Sequence, residues 1–348
     1  SAFYMSKFND AIGISIDGSG DFTTTSWANC KDTNIEINDR IHYPHSLGIF
    51  YTAITNYLGF NTFGEEYKVM ALAALGNSNL NNKLSDLIKF LDNGQFELNL
   101  DYFLHHKKIN TFSIIENKII INNLINEELL ADLIGFQKRE RDTKLDQKHF
   151  NLAYSLQNLF EKAYFNYINA SYTNSITKNL CIAGGCAMNS VANGKLYEKT
   201  KFKKIFIQPA AYDAGGAIGA ALSVYYDNNK NRNYENYNLY LGPEYSNIDV
   251  EKAINAKKNY LDKENIKFED FTNKQDDLLT KIVDFLMEKK IVGIFKGRVE
   301  WGARALGNRS IIADPRGEEI KDIMNRKIKR RESFRPFAPI ILYEYLRS

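Results

Sequence analysis

A glycine- and aspartate-rich segment near the start of the chain has the composition of a phosphate-binding turn. It reads IDGSGD, and Gly18 and Gly20 leave backbone N–H groups open to a ligand. The Asp17 carboxylate beside them can hold a metal ion. Because aspartate and glycine are equally usual in plain β-turns, the segment predicts either a nucleotide site formed by these three residues or a turn without a ligand.

A second motif, AGGCAMN, joins an apolar run to a helical pattern. Gly184 and Gly185 permit a tight turn and close approach of a flat ligand, and the start of the helix offers free N–H donors. Asn189 and Asn193 lie one helical turn apart, so both can face a ribose or a base edge. A glycine-rich connection without a ligand explains the same residues equally well.

Asp213 and His45 are single residues with two interpretations each. Asp213 directly precedes the small-residue run AGGAIGAAL, where a carboxylate is a natural N-cap and, less often, a metal or phosphate ligand. His42 and His45 are separated by Pro44, which argues against a helix that presents both to one ion. His45 is therefore predicted to be a hydrogen-bond donor that faces a substrate.

Cations crowd the C-terminal part of the chain and alternate with large apolar residues. This alternation predicts that several of them lie in or beside a core, where a cation needs an anionic partner. Bound phosphate and internal pairs with Glu300, Glu332 or Asp314 are the two alternatives, and the density of arginine favours an anion or nucleotide site. The cations are Lys296, Arg298, Arg304, Arg309, Lys327, Lys329, Arg330, Arg331 and Arg335, with Ser310 among them.

Strands that alternate with helices are expected to position these motifs, which predicts an α/β fold. The expected strands cover residues 11–16, a run from 179 and 204–208, and a further strand spans 291–295. Helical periodicity marks 46–58 with Ser46 as N-cap, 65–75, 149–172, the run after Asp213, and 276–289. Residues 77–145 are predicted to be a peripheral insertion of helices and short strands. The polar stretch 227–238 is the expected linker, so we place the domains at 1–232 and 233–348.

Composition restricts the class of protein. The 348 residues carry a net charge of +3, too balanced to indicate a nucleic-acid or membrane partner. No apolar run approaches the roughly 20 residues that span a bilayer. Cys30, Cys181 and Cys186 form no metal-binding spacing and are expected to be small buried side chains in a reduced, cytoplasmic setting.

The motifs together resemble the carbamoyltransferases of antibiotic and nodulation-factor biosynthesis. The resemblance runs through most of the chain, and its last two segments are the most specific. One departure is Ala303, where the family pattern has proline, which loosens the local backbone and spares every charged group. The segments are PHSLGIFYTAITNYLGF, GEEYKVMALA, CIAGGCAMNSVANGKL, QPAAYDAGGAIGAAL, YLGPEYS, GRVEWGARALGNRSIIADP and KRRESFRPFAP.

The resemblance implies a domain of the actin-like ATPase (ribonuclease H-like) type, followed by an incomplete α+β domain similar to threonylcarbamoyl-adenylate synthase. It implies that ATP, with magnesium, activates carbamoyl phosphate to carbamoyl-adenylate, and that the carbamoyl group passes to an acceptor hydroxyl beside a divalent metal, iron in this family. Asp213 would then be the metal ligand, which reverses its local interpretation.

The resemblance also implies roles for the other candidates. His45, Lys68, Arg298, Arg304 and Ser310 would be catalytic. Nucleotide and carbamoyl phosphate would contact Asp17, Gly18, Gly20, Gly184, Gly185, Asn189, Arg309, Lys329 and Arg335. The sequence does not identify the acceptor: hydroxyls of a sugar, a polyketide and an aminoglycoside are the alternatives, and residues 77–145 are expected to line its pocket.

Both ends resemble cuts in a longer protein. The family's metal-binding histidines precede an equivalent of Ser1 and its C-terminal domain continues past Ser348, so residues 1–348 alone are expected not to turn over. Two other functions stay open: a tRNA-modifying threonylcarbamoyl transferase, which should bind tRNA at physiological salt, and a silent nucleotide-binding module, which should release no pyrophosphate. A sugar kinase is a distant alternative.

Overall fold

The chain divides into a first unit, Ser1–Asn236, and a second unit, Tyr237–Ser348. The structure is a computed structural model and describes residues 1–173, 177–229, 232 and 238–345. The domain boundary expected near Asn233 lies outside the described residues and stays a prediction.

A five-stranded mixed sheet forms the centre of the first unit. Its strand order is β3-β2-β1-β8-β9, with β1–β3 as an antiparallel meander and β8 and β9 parallel to β1. The α/β class expected from the sequence is therefore correct. The strands are β1 (Asp10–Gly20), β2 (Thr23–Lys31), β3 (Asn34–His42), β8 (Asn179–Ala183) and β9 (Lys204–Ile207).

Strand β1 is longer than the sequence predicts. The segment IDGSGD is not a turn after the strand, because β1 continues to Gly20 with an irregular pairing between Ile16 and Gly20. The reversal comes at Asp21 and Phe22, where Asp21 adopts a positive φ of 50°. Asp17 thus lies in a bulged strand, whose backbone atoms are free to face neighbouring elements.

The helices at Ala2–Met5, Leu47–Tyr57 and Gln147–Thr173 pack on this sheet and bury apolar side chains. The long helix α6 buries Leu152, Leu156, Phe160 and Tyr164, in agreement with the period predicted for residues 149–172. The helices of the first unit are α1 (Ala2–Met5), α2 (Leu47–Tyr57), α3 (Glu66–Leu72), α4 (Asn81–Leu84), α5 (Glu127–Ile134), α6 (Gln147–Thr173), α7 (Ser190–Asn193), α8 (Leu196–Lys199) and α9 (Ala214–Asn228). Among the described residues, no helix is both long and apolar enough to cross a bilayer.

Two small hairpins lie in the segment expected to be an insertion. The strands are β4 (Ile88–Phe90), β5 (Phe96–Leu98), β6 (Phe112–Ile115) and β7 (Lys118–Ile121), paired as β4–β5 and β6–β7. Together with α4 and α5 they match the predicted mixture of helices and short strands.

The described residues of the second unit form several helices and one two-stranded antiparallel ribbon. Its elements are α10 (Asn247–Ala256), α11 (Lys258–Lys263), α12 (Gln275–Met287), β10 (Val292–Phe295), β11 (Arg309–Ile312) and α13 (Ile320–Ile323), followed by a π-helix at Met324–Lys329. The predicted helix at 276–289 and strand at 291–295 are both present.

The expectation that cations lie in or beside a core is wrong for the described part of this unit. Arg298, Arg304 and Lys329 are exposed. The physical reason is that the described residues of this unit bury few side chains: Met324 is the one fully buried large apolar residue, beside the polar Glu300 and Asn325.

Candidate functional site

Three parallel strands of the first unit end at one edge of the sheet. Strand β1 carries Asp17 beyond Ser15, its last residue paired with β8. Strand β8 runs into Gly184, and β9 leads through a turn to Asp213. In open α/β sheets, ligands bind outside the carboxyl ends of the strands. The first candidate site therefore contains the motifs that the sequence singled out.

Asp17 is a half-buried carboxylate at the centre of this edge. Burial raises the pKa of Asp17, the backbone N–H groups of Gly18 and Gly185 oppose the rise, and the negative charge of Asp213 adds to it. The Gly18 N–H lies 2.7 Å from Asp17 Oδ1. A carboxylate held in this way is poorly compensated and would be stabilised by a bound cation.

The glycine turn after β8 is pressed against β1. Gly184 has a φ of +92°, and a Cβ atom there would lie 2.2 Å from the Ile16 carbonyl oxygen. At Gly185 a Cβ would lie 2.8 Å from Asp17 Oδ1. The absence of a Cβ at these glycines lets the turn approach Ile16 and Asp17 closely, and contact with a flat ligand at Gly184 and Gly185 stays a prediction.

Asn189 and Asn193 do not both face open space, contrary to expectation. Asn189 is buried, its side-chain oxygen caps α7 by accepting the Ala192 N–H, and its amide exchanges two hydrogen bonds with Gln157 at 3.0 and 3.1 Å. Asn193 donates to the Ala187 carbonyl and accepts from Tyr164. Both amides shape the turn, and nucleotide contact by Asn189 stays a prediction.

Helix α6 extends this contact into a buried polar network. Gln157 accepts a hydrogen bond from the Tyr51 hydroxyl at 2.9 Å and donates to Glu161 at 2.9 Å. The Lys195 ammonium in turn donates a hydrogen bond to Oε2 of Glu161 at 2.7 Å. The network links α2, α6 and the segment after β8, and none of its α6 members was identified from the sequence. Polar residues in an otherwise apolar helix pattern, as at 157 and 161, are the signal that could have revealed them.

Helix α2 begins directly against the bulge of β1. The buried Ser46 hydroxyl lies 2.6 Å from the Gly18 carbonyl oxygen and accepts the Ile49 N–H at 3.1 Å, so Ser46 is the N-cap that the sequence predicts. A Cβ at Gly48 would lie 2.7 Å from the Gly18 Cα. Gly18 is thereby fixed in position, whereas Gly20 is exposed at the hairpin end of β1.

Asp213 precedes α9 without capping it. Its side chain makes no cap hydrogen bond, its backbone is already helical, and it is exposed. The N-cap interpretation is therefore wrong. The charge of Asp213 adds to the rise in the pKa of Asp17, and the role of Asp213 as a metal ligand stays a prediction. No group of three potential ligand residues is present among the residues that the structure describes.

His45 has a defined tautomer. Its Nδ1 lies 3.0 Å from the Leu98 backbone nitrogen, which can only donate, so Nδ1 accepts and the proton of the neutral ring is on Nε2. The segment before it is held by His105, whose Nε2 is 2.9 Å from the Pro44 carbonyl oxygen. His45 can therefore donate a hydrogen bond, as predicted from the sequence.

Lys68 lies in α3, with its ammonium 2.7 Å from Oε1 of Glu65, and both side chains are buried. Arg141 contacts the same carboxylate at 3.1 Å. A buried ion pair of this kind explains the lysine without catalysis, so its catalytic role stays a prediction.

The second unit presents a separate cluster in the segment between β10 and β11. Arg304 is exposed, and the exposed Arg298 lies 3.5 Å from the equally exposed Glu244. Arg309 instead donates to the carbonyl oxygens of Lys296 and Asn308 at 2.7 and 2.9 Å. The Ser310 hydroxyl accepts the Gly307 N–H at 3.0 Å.

Glu300, considered as a partner for a cation, bonds to backbone instead. Burial alone would raise the pKa of Glu300, but N–H groups of Leu306, Glu300 itself, Asn308 and Arg309 lower it to about 2. The two other carboxylates do form internal pairs, Asp314 with Arg316 at 2.6 Å and Glu332 with Arg335 at 3.9 Å.

A buried asparagine holds the last basic segment. Asn325 donates to the carbonyl oxygens of Ser333 and Arg335 at 3.1 and 2.9 Å and accepts from Arg331 at 2.7 Å. Lys329 ends the π-helix that contains Asn325 and is exposed. The structure thus places the predicted ligands of this unit on two braced loops.

Comparison with known proteins gives matches along both units. The family described as "Carbamoyltransferase N-terminus" matches residues 1–222, and the family described as "Carbamoyltransferase C-terminus" matches residues 283–348.

Curated relatives match nearly the whole of this chain. An uncharacterized protein of Synechocystis sp., sll1178, is 39% identical over 99% of this chain and 54% of its own length. Nodulation protein NolO of Bradyrhizobium diazoefficiens is 35% identical over 99% of this chain and 57% of its own. Nodulation protein NolNO of Sinorhizobium fredii is 33% identical over 99% of this chain and 46% of its own length. The chain thus spans about half the length of these relatives.

Proposed function

Because the chain belongs to the carbamoyltransferase family, we propose that its protein is an ATP-dependent O-carbamoyltransferase. In this proposal water first cleaves carbamoyl phosphate to carbamate and phosphate. The carbamate oxygen then attacks the α-phosphorus of ATP, which gives carbamoyl-adenylate and releases pyrophosphate. The carbamoyl group then passes to an acceptor hydroxyl and AMP is released. The family membership itself covers the carbamoyl transfer; the use of ATP is our inference.

One observation carries the proposal for the first unit. Asp17, the Gly184–Gly185 turn and Asp213 meet where three parallel strands end, beside the start of α2. Backbone N–H groups of the turn and of the helix start suit an anionic adenylate. We assign the nucleotide contacts to Asp17, Gly18, Gly184 and Gly185.

The mixed sheet also supports an actin-like fold for this unit. Its three-stranded antiparallel meander continues into two parallel strands whose connections contain helices. We propose this fold for the first unit and a fold related to threonylcarbamoyl-adenylate synthase for the second, as the sequence resemblance implies.

We propose that a divalent metal binds at the carboxylates of Asp213 and Asp17. Asp213 and Asp17 would supply oxygen ligands, and we propose iron on the basis of the family resemblance. The bound ion would polarise the carbamoyl carbonyl toward attack. His45 would donate its Nε2–H to the substrate side of this edge, where the chain's own contribution is orientation and hydrogen bonding.

Adenylation is assigned to the second unit. Arg298 and Arg304 would bind the phosphate oxygens of ATP and carbamoyl phosphate, assisted by Ser310, Lys329 and Arg335. Guanidinium forks match phosphate geometry and stabilise charge that develops on phosphoryl oxygens. Their exposure leaves them accessible to such a ligand.

The acceptor is proposed to be a hydroxylated small molecule or sugar. Two matched relatives are named nodulation proteins. A reduced, cytoplasmic setting agrees with three free, buried cysteines.

Mass spectrometry of acceptor panels tests the function. The protein is incubated with carbon-labelled carbamoyl phosphate, ATP and hydroxylated acceptors. We expect a product that carries one labelled carbamoyl group and forms only when ATP is present. Label transfer that is independent of ATP would refute the adenylate route. Loss of transfer in the Arg304→Met variant, while the parent protein remains active, would support it.

A further inference from the structure

The segment between β10 and β11 folds around one carboxylate. Oε1 of Glu300 accepts backbone N–H groups from Leu306 at 2.7 Å, Asn308 at 2.8 Å and Arg309 at 3.2 Å. The Glu300 residue is 9% exposed, and the three hydrogen bonds are partly buried. A concave set of backbone N–H groups of this kind is normally a binding site for an external anion.

Here the concavity is filled by the chain itself. The pKa of Glu300 is about 2, so the carboxylate is ionised at every physiological pH. An incoming phosphate would have to displace a permanent negative charge to reach these N–H groups. The backbone of Leu306–Arg309 is therefore committed to Glu300.

Arg309 braces the same loop from its other side. Its guanidinium bonds to the carbonyl oxygens of Lys296 and Asn308 and lies 3.6 Å from the centre of the Phe295 ring. The Asn308 side chain donates to the Arg298 carbonyl oxygen at 2.7 Å. These bonds connect both strands of the ribbon to the loop, so its shape is determined before any ligand arrives.

Two arginines are left to meet a ligand. The Arg304 side chain makes no ion pair or hydrogen bond within the part of the chain that the structure describes, and it lies between Gly302 and Gly307, which both have positive φ. Arg298 Nε lies 3.5 Å from the exposed Glu244 carboxylate, a pair of little energetic weight, and its Nη1 makes one long hydrogen bond of 3.4 Å to the Gly242 carbonyl oxygen.

We propose that Glu300 is the positioning residue of the anion site in the second unit: it occupies the backbone concavity and thereby directs Arg298 and Arg304 outward as the phosphate-binding groups. Arg309, expected from the sequence to bind the ligand, is then a second positioning residue. This inference rests on the proposed function, because that function supplies the anion, ATP or carbamoyl phosphate.

The test compares Glu300→Gln, Glu300→Asp and the control Glu318→Gln in the whole protein. Glu318 is an exposed glutamate of the same unit, so its variant makes the same chemical change without the loop contacts. ATP and carbamoyl phosphate binding are measured separately by calorimetry. The rates at which the Leu306, Asn308 and Arg309 amide hydrogens exchange with deuterated solvent are measured as well.

We expect Glu300→Gln to weaken ATP binding about tenfold, since neutral acceptors bind N–H groups about half as strongly as charged ones. Exchange at the three amides should accelerate, Glu300→Asp should retain part of both properties, and Glu318→Gln should match the parent protein. If Glu300→Gln does not fold, Glu300→Asp provides the test. Its carboxylate should still slow hydrogen exchange at the Leu306, Asn308 and Arg309 amides relative to an unstructured peptide, and exchange as fast as in that peptide would contradict the proposal.

The outcomes separate this inference from the proposed function. Unchanged amide exchange and unchanged ATP binding in Glu300→Gln, with binding lost in Arg304→Met, would overturn the positioning role while the anion site remains. Accelerated exchange with normal ATP binding in both Glu300→Gln and Arg304→Met would instead remove the anion site from this loop and thus contradict that part of the proposed function.

Discussion

Asp17 shows how a single residue can trade stability for binding. Its carboxyl is half-buried beside Asp213, and both burial and that charge raise its pKa. Below the unfolded pKa of about 3.9 the group is protonated in both states. As pH rises through the folded pKa, the native carboxyl must ionise in an unfavourable place, so its contribution to stability is lost.

We therefore expect Asp17→Asn to stabilise the metal-free protein by about 1 kcal/mol at neutral pH, with the gain vanishing near pH 3.5. Asparagine keeps the acceptor for the Gly18 N–H and removes the charge. Thermal unfolding across pH measures the effect, with the exposed Asp92→Asn as control. A variant less stable than the parent at pH 7 would contradict the claim that the ionised Asp17 carboxylate destabilises the folded protein.

Substitutions of His45 can distinguish a hydrogen-bond donor from a general base. Because Nδ1 accepts the Leu98 N–H, Nε2 is the ring nitrogen left to contact a substrate, and it carries the proton of the neutral ring. Glutamine places an amide nitrogen near the Nε2 position and asparagine does not. We expect His45→Gln to keep most of the carbamoyl transfer rate and His45→Asn to lose about a hundredfold, the usual effect of one removed donor. Equal losses in both variants, measured by initial rates, would indicate a base instead.

At the scale of elements, the network from α6 to the glycine turn holds the first site in shape. Gln157 is 5% exposed and makes four side-chain hydrogen bonds, to Tyr51, Glu161 and twice to Asn189. Its removal leaves buried polar groups without partners, which costs more than the hydrogen bonds themselves.

Gln157→Leu should therefore lower the free energy of unfolding by about 3 kcal/mol and increase amide exchange in residues 184–189. Gln147→Leu is the matched control, because it makes the same change at the exposed start of the same helix. Urea unfolding gives both values. A loss in Gln157→Leu no larger than in Gln147→Leu would show that the network is not a structural unit.

Sequence patterns were informative where an element is long or strongly periodic. Helix α6 was predicted almost to its ends, because buried side chains recur at helical spacing over 27 residues. Strands β2 and β3 were not identified, although Ile35, Ile37 and Ile41 alternate in β3. Their polar outer positions resemble loop sequence, and only pairing with β1 makes them a sheet.

The sites were less predictable than the elements. Spacing located Asp17, Gly184 and Asp213, but it could not show that two glycines serve strand packing or that Asp213 leaves α9 uncapped. Alternating cations and apolar residues suggested a core around Arg298 and Arg304 that the described residues do not form. Such properties depend on contacts between distant parts of the chain.

At the scale of the whole molecule, burial is unevenly distributed. Nearly all fully buried side chains among the described residues belong to Ser1–Asn236. Stability follows buried apolar surface, so the first unit should contain the cooperative core.

We expect residues 1–236, expressed alone, to unfold cooperatively with a midpoint close to that of residues 1–348. Amides of β10 and β11 should exchange faster than those of β1 and β8. Calorimetry and hydrogen exchange check these two results. An unfolded 1–236 segment would show that the stability of the first unit depends on the second.

The central claim is that ATP activates carbamoyl phosphate before the carbamoyl group is transferred. Pyrophosphate release, measured with ATP in the presence and absence of carbamoyl phosphate, tests it most directly. We predict release that requires both compounds and is lost in Arg304→Met. Pyrophosphate release at the same rate without carbamoyl phosphate, or carbamoyl transfer without any pyrophosphate, would contradict the claim.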